Sequence, residues 1–241
     1  MNILNNSFQT TQSQSYNGTL AKNFISNVFS WMGIALSITA LTAYYFGTDM
    51  ELISLLINET GGFSTLGWIV TIAPFGLVLL MGLGFNKLSY TALVLVFGVY
   101  AILMGMSLSF ILLVYTAASI FKTFLVTALL FGVMAIIGYT TKTDLTKFGS
   151  ILMMGVIGLV IASVVNMFMH SPAMDYIISF VGVLIFTGLT AYDVQKLKRI
   201  GSGLEYQNAE VNKLTIMGAL ALYLDFINLF LFLLRFMGDR K

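Results

Sequence analysis

The stretch Leu214–Met237, LTIMGALALYLDFINLFLFLLRFM, is long enough to cross a bilayer as one helix, and Asp225 sits near its middle. A hydrocarbon core of about 30 Å takes about 20 residues in helical form. A carboxylate at a helix centre costs roughly 2.5–3.5 kcal/mol on insertion scales. A chain keeps one there only where a partner, a proton, a cation or water offsets that cost. Asp225 is therefore the first candidate for function, and it implies a polar pathway inside a membrane protein. The plainer alternative is a protonated, hydrogen-bonded structural residue.

Working outward, the composition agrees. Only 9% of the residues are charged and 58% are hydrophobic, whereas a soluble domain carries about 25% charged residues. The basic residues are scattered between apolar runs, so the small net charge of +2 gives no sign of nucleic-acid binding. With no cysteine, disulfides and thiolate metal sites are excluded.

Seven runs reach membrane length: Phe24–Phe46, Leu66–Gly84, Tyr90–Tyr115, Ser119–Tyr139, Phe148–Met169, Tyr176–Lys196 and Val211–Phe236. The expected fold is an all-α membrane protein, a seven-helix bundle over residues 23–241 in which short connections make successive helices antiparallel neighbours. Glycines inside the spans allow close packing, and Pro74 is expected to kink helix two. Residues 1–22, rich in Asn, Gln, Ser and Thr, read as a disordered cytoplasmic tail without the features of a signal peptide. The Asn-x-Ser/Thr triplets at Asn5, Asn17 and Asn58 carry little weight.

Charge bias places the N-terminus in the cytoplasm. That side collects Lys22, Lys87, Lys142, Lys147, Lys196, Lys198, Arg199 and Lys213, while the loop after helix one carries Asp49, Glu51 and Glu59 with no basic residue. The basic C-terminus, with Arg235, Arg240 and Lys241, does not fit this rule, and a re-entrant last segment would restore it.

Asp193, near the cytoplasmic end of helix six, is the second intramembrane carboxylate. Thr187, Thr190 and Asp193 recur every third residue and form a polar stripe on one helix face. Snorkelling to the interface or pairing with Lys196 is the bland role for Asp193. Helices six and seven should form a hairpin with an axial mismatch between Asp193 and Asp225 of about two turns at most, which lets the carboxylates face each other. In low dielectric they are not both ionised unless a cation joins them. They would share a proton at low pH, and at higher pH they would repel or attract a hard divalent ion such as Ca²⁺, with Asn228 adding an amide on the same face.

Three segments carry a resemblance: GYTTKTDL at Gly138–Leu145, GLTAYD at Gly188–Asp193, and LYLDFINLF at Leu222–Phe230 followed by Leu233, Leu234 and Arg235. Their order and spacing resemble the bacterial branch of the Bax-inhibitor (transmembrane Bax-inhibitor-motif) family over all seven helices. The resemblance implies a bundle with the last helix at its centre, surrounded by the other six, in a bacterial inner membrane. It also implies a pH-sensitive calcium leak governed by an aspartate pair, here Asp193 and Asp225, and in bacterial relatives binding to a membrane-bound AAA protease that affects membrane-protein turnover. One departure is that helix two, Trp68 to Gly84, has no basic residue to pair with the aspartates.

A protease-binding modulator would use exposed pieces instead, the polar tail and the connection from Lys198 to Asn212, which reads as long and polar with Glu205 and Glu210. Tyr192-Asp193 is similar to the Tyr-Asp of intramembrane aspartyl proteases, but Asp225 lacks their Gly-x-Gly-Asp context, so no enzyme activity is expected. No internal repeat suggests a secondary transporter. No cofactor is expected beyond Ca²⁺ as a permeant or bound ion. His170, Asp175 and Glu59 read as solvated loop residues, and Asn166 and Thr116 as ties between helices.

Overall fold

The computed structural model describes residues 2–58, 61–204 and 208–241, with side chains described from Thr19 onward. Among the described residues the chain forms α1 (Asn2–Thr48), α2 (Met50–Ser54), α3 (Thr65–Leu83), α4 (Tyr90–Val114), α5 (Ala117–Thr140), α6 (Thr146–Met169), α7 (Pro172–Ser202) and α8 (Ala209–Met237). All but the short α2 are long and apolar enough to cross a membrane, α1 over Thr19–Thr48. The protein is an integral membrane protein of seven spans. The tail expected over 1–22 falls mostly outside the described side chains, as do Asn5 and Asn17, and Glu59 and Glu205 lie outside the described residues.

Helix starts follow capping chemistry. Ser64, Ser89, Thr116, Ser171 and Asn208 each accept a backbone N–H of the first turn, which satisfies donors that a helix leaves unpaired at its start. Asp144 does this for α6, accepting from Thr146 N at 3.0 Å. Helix α3 runs unbroken through Pro74.

α8 is the central helix. Two thirds of its membrane window is buried, more than in any other span, and it packs against α1, α4, α5 and α7. α3 packs chiefly on α4, and α6 on α7, so four helices rather than six form its immediate surround. Outward-facing Leu41, Phe75, Leu129, Ile161 and Phe168 are exposed, as expected where lipid is the solvent.

Two expectations are corrected. α7 continues to Ser202 rather than ending near Lys196, so the connection to α8 is short instead of a long polar linker. The basic side chains that read as an exit from the membrane are bound back onto the bundle: Lys198 Nζ donates to Tyr139 O and Arg199 pairs with Asp144. The re-entrant alternative is also set aside, since α8 is one unbroken helix and the two ends of the seven-span domain lie on opposite faces. At the C-terminal face Asp239 O accepts from Thr116 N, and Lys241 N donates to Val114 O. The basic residues that conflicted with the charge rule meet an acid there: Asp175 lies 3.3 Å from Arg235 and 4.0 Å from Arg240.

Candidate functional site

The site is built where α7 crosses α8. Leu197 lies against Gly218 and Phe232 against Gly182, which fixes the antiparallel register of the two helices. That register sets Asp193 level with Leu222, three residues and about 4.5 Å of helix rise from Asp225. The mismatch is less than one turn, closer than the sequence required. The two carboxyl groups are within hydrogen-bonding reach of each other. Asp225 is 5% exposed, Asp193 is half-buried, and Asp225 Oδ2 has no donor among the described residues. Two ionised carboxylates accept hydrogen bonds but donate none, so a direct bond between these two requires a proton between them.

Lys196 acts on Asp193 through its field but forms no ion pair with it among the described residues. Of the supporting residues, Thr190 is buried and donates to Phe186 O at 2.8 Å, and Asn228 Nδ2 donates to Leu224 O at 2.8 Å. Both bonds stay within their own helices. Thr187 Oγ1 is buried without a partner. The acids are brought together, while the threonines and Asn228 line the neighbourhood without bonding to them.

Close packing frames Asp193. Gly138 of α5 sits directly on the backbone of Ala191, and Gly149 of α6 on the ring of Tyr192. Just beyond, Gln195 grips the α5–α6 turn: Nε2 donates to Thr143 O at 2.7 Å and Oε1 accepts from Leu145 N at 2.8 Å. Lys198 also lies over the Tyr139 ring. The segment 138–145 is therefore fastened along one side of α7, and all three of the segments singled out in the sequence meet here. This clamp escaped the sequence reading; the polar run after helix four was visible, its partners some 50 residues on were not.

A second buried network ties α8 to α1 and α4. Tyr223 OH lies 2.7 Å from Thr39 Oγ1, which bonds Ala101 O at 2.9 Å, and the Tyr100 ring meets Tyr223 edge-on. Across α8 from the aspartates is an apolar cavity of about 550 Å³ lined by residues such as Ala40, Leu112, Phe124 and Phe230. It carries no acid.

The other loop candidates are placed as follows. Asp175, read as a solvated loop residue, instead lies in the first turn of α7 and is engaged by Arg235 and Arg240. His170 is exposed, in a left-handed conformation at the end of α6. Asn166 Oδ1 accepts from Ser171 N and ties α6 to α7, and Thr116 caps α5.

For a metal, the described residues include no cluster of three or more His, Cys, Asp or Glu. Calcium takes about six to eight oxygen ligands, and two carboxylates supply four at most. The pair alone does not supply the ligand set of a tightly held calcium ion.

The family profile described as inhibitor of apoptosis-promoting Bax1 matches residues 21–241. The chain belongs to this family. Among its relatives, the inner membrane protein YbhL of Escherichia coli K12 is 43% identical over 221 residues, covering 91% of this chain and 93% of that one. A protein of Borreliella burgdorferi is 43% identical over 223 residues, covering 92% and 94%. A membrane protein of Streptococcus pyogenes serotype M3 is 36% identical over 220 residues, covering 89% and 92%. The match begins at residue 21, so membership in the Bax-inhibitor family concerns the seven-span domain and not the polar tail.

Proposed function

We propose that this protein is a pH-sensitive calcium leak channel of the bacterial inner membrane, with a cytoplasmic N-terminus and with Asp193 and Asp225 as its gate. The observation that carries this reading is the meeting of two carboxyl groups at the α7–α8 crossing, with one oxygen unpartnered in the centre of the bundle. At low pH a shared proton joins the pair and holds α7 against α8. As pH rises the proton leaves, like charges in low dielectric repel, and the separated carboxylates draw in a hard divalent cation. α3 carries no basic residue to neutralise them, so closure rests on the shared proton, with the charge of Lys196 acting on Asp193 alone.

The test is Ca²⁺ entry into dye-loaded proteoliposomes across about pH 5 to 8, for the wild type, Asp193→Asn and Asp225→Asn. Flux that rises with pH in the wild type and loses its pH response in both variants supports the gate. Equal leak in all three, or none above empty liposomes, rules it out.

A further inference from the structure

Four helices turn apolar faces toward the cavity on the far side of α8 from the aspartates. Leu36, Ala40, Ala43 and Tyr44 share one face of α1 by helical spacing, and Ala117 and Phe121 share one face of α5. The space exists because α5 stands away from α1 and α4. α1 packs on α4 and both touch α8, whereas α5 packs on α7 and α8. Although Tyr115 and Thr116 alone join them, α4 and α5 make little contact. Small side chains at 40, 43 and 117 then leave about 550 Å³ unfilled among aromatic neighbours.

Water is a poor occupant. It is held where it finds two to four polar partners, and the hydroxyl deep in the lining, Thr39 Oγ1, is already bonded to Ala101 O and Tyr223 OH. Left empty, the walls would forfeit dispersion contacts. The opening faces lipid, for Tyr44 is 62% and Phe121 64% exposed. Its depth matches one leaflet. From Leu36 to Tyr44 the lining covers about 12 Å of helix rise, against about 15 Å for half of a hydrocarbon core.

The mouth carries a charge. Residues 239–241 cross the α4–α5 turn, with Asp239 N donating to Ser119 Oγ and Lys241 N to Val114 O, both at 2.9 Å. This sets Lys241 Nζ on Leu112 O at 2.6 Å, and Leu112 lines the cavity. Leu112 also lies against Gly47, one turn beyond Tyr44, so the tyrosine stands at the same end. The Lys241 side chain is exposed, and no carboxylate pairs with it among the described residues. An ammonium has three donors, and the bond to Leu112 uses one. A smaller apolar groove of about 350 Å³ between α1 and α4, beside Gly98, has no charged residue in its lining.

We propose that the larger cavity is a phospholipid site, in which one acyl chain lies between α1, α4, α5 and α8 and the lipid phosphate meets Lys241 Nζ. Charge-assisted bonds to the phosphate fix the head, and the cavity takes the chain along the depth of one leaflet. The site lies across α8 from the aspartate pair and stands whether or not that pair is a gate.

Native mass spectrometry of the full chain in detergent, titrated with dioleoyl phosphatidylglycerol, counts bound lipids directly. Ala40 and Ala117 are exposed to the cavity, so Ala40→Trp and Ala117→Phe fill it. The wild type should take its first lipid on the order of ten-fold more tightly than either. Lys241→Gln should bind several-fold more weakly than the wild type. Two controls should match the wild type: Gly98→Leu, which fills the smaller groove where nothing stands within 4 Å of a Cβ, and Lys122→Gln, on the face of α5 turned away from the cavity. Wild-type affinity in both filled variants, or an equal loss in Gly98→Leu, would overturn the site. So would a dimer mass, lost in the filled variants, in place of bound lipid. A thermal readout covers misfolding of a filled variant. Added phosphatidylglycerol should raise the midpoint of the wild type and Gly98→Leu more than that of Lys241→Gln, and an equal rise in all three would remove the phosphate contact on which the proposal stands.

Discussion

Gln195 holds Leu145 and the turn around it from two sides of a single carboxamide, accepting from Leu145 N at 2.8 Å and donating to Thr143 O at 2.7 Å. The side chain is buried, and no other group satisfies both partners in its place. Gln195→Ala should cost roughly 1–3 kcal/mol, the penalty for leaving buried polar groups unpaired, read as a lower thermal midpoint in detergent. Gln195→Glu, which keeps the acceptor beside Arg199, should lose less.

Gly138 tests how closely α5 must approach α7. A side chain there meets the Ala191 backbone, and backbone does not yield as a flexible side chain does. Gly138→Ala is expected to destabilise by about 1–3 kcal/mol through overpacking. Because Ala191 is two residues from Asp193, the substitution should also raise calcium leak at acid pH, where the proposed gate is closed. Stability and leak unchanged in Gly138→Ala would contradict the tight crossing.

Asp144 supplies an acid-side pH dependence that lies outside the membrane. Hydrogen bonds from the Thr146 side chain and backbone, with the Arg199 charge adding to them, hold its carboxyl below the usual carboxylate range. A lowered native value means the ionised form favours the folded state. The contribution is present above the ordinary aspartate range and lost as pH falls through the lowered native value. Asp144→Asn should lower the midpoint at neutral pH, leave it nearly unchanged at acid pH, and so flatten the acid side of a plot of midpoint against pH.

The Tyr223 and Thr39 hydroxyls, 2.7 Å apart, should show a coupling of about 0.5–1.5 kcal/mol in a double-mutant cycle of Tyr223→Phe with Thr39→Val. Both variants should keep the pH response of calcium flux, since the network faces α1 and α4 and not α7. A response lost in Tyr223→Phe would place the gate elsewhere.

The spans were legible because hydrocarbon length and apolar run length are the same constraint. Asp225 stood out because nothing else in the chain carries so large an insertion cost at such depth. Its nearness to Asp193 was legible only as a range of up to two turns. The actual offset is set by where Leu197 and Phe232 find Gly218 and Gly182, a choice of partners among many glycines. The end of α7 was misjudged because Lys196, Lys198 and Arg199 look the same in sequence whether they leave the bundle or turn back onto it.

Placing α8 at the centre has a consequence for biosynthesis. In chain order it is the last of the seven spans to leave the ribosome, and the hydrogen bonds that fasten residues 239–241 to the α4–α5 turn come later still. The six earlier helices must enter the bilayer around a space that only the final segment fills, with Thr39, Gly182 and Asp193 waiting for their partners. A nonsense codon even a few dozen residues from the end of α8 would therefore remove the core rather than an edge, and its product should be a substrate for quality control instead of a shortened but folded bundle.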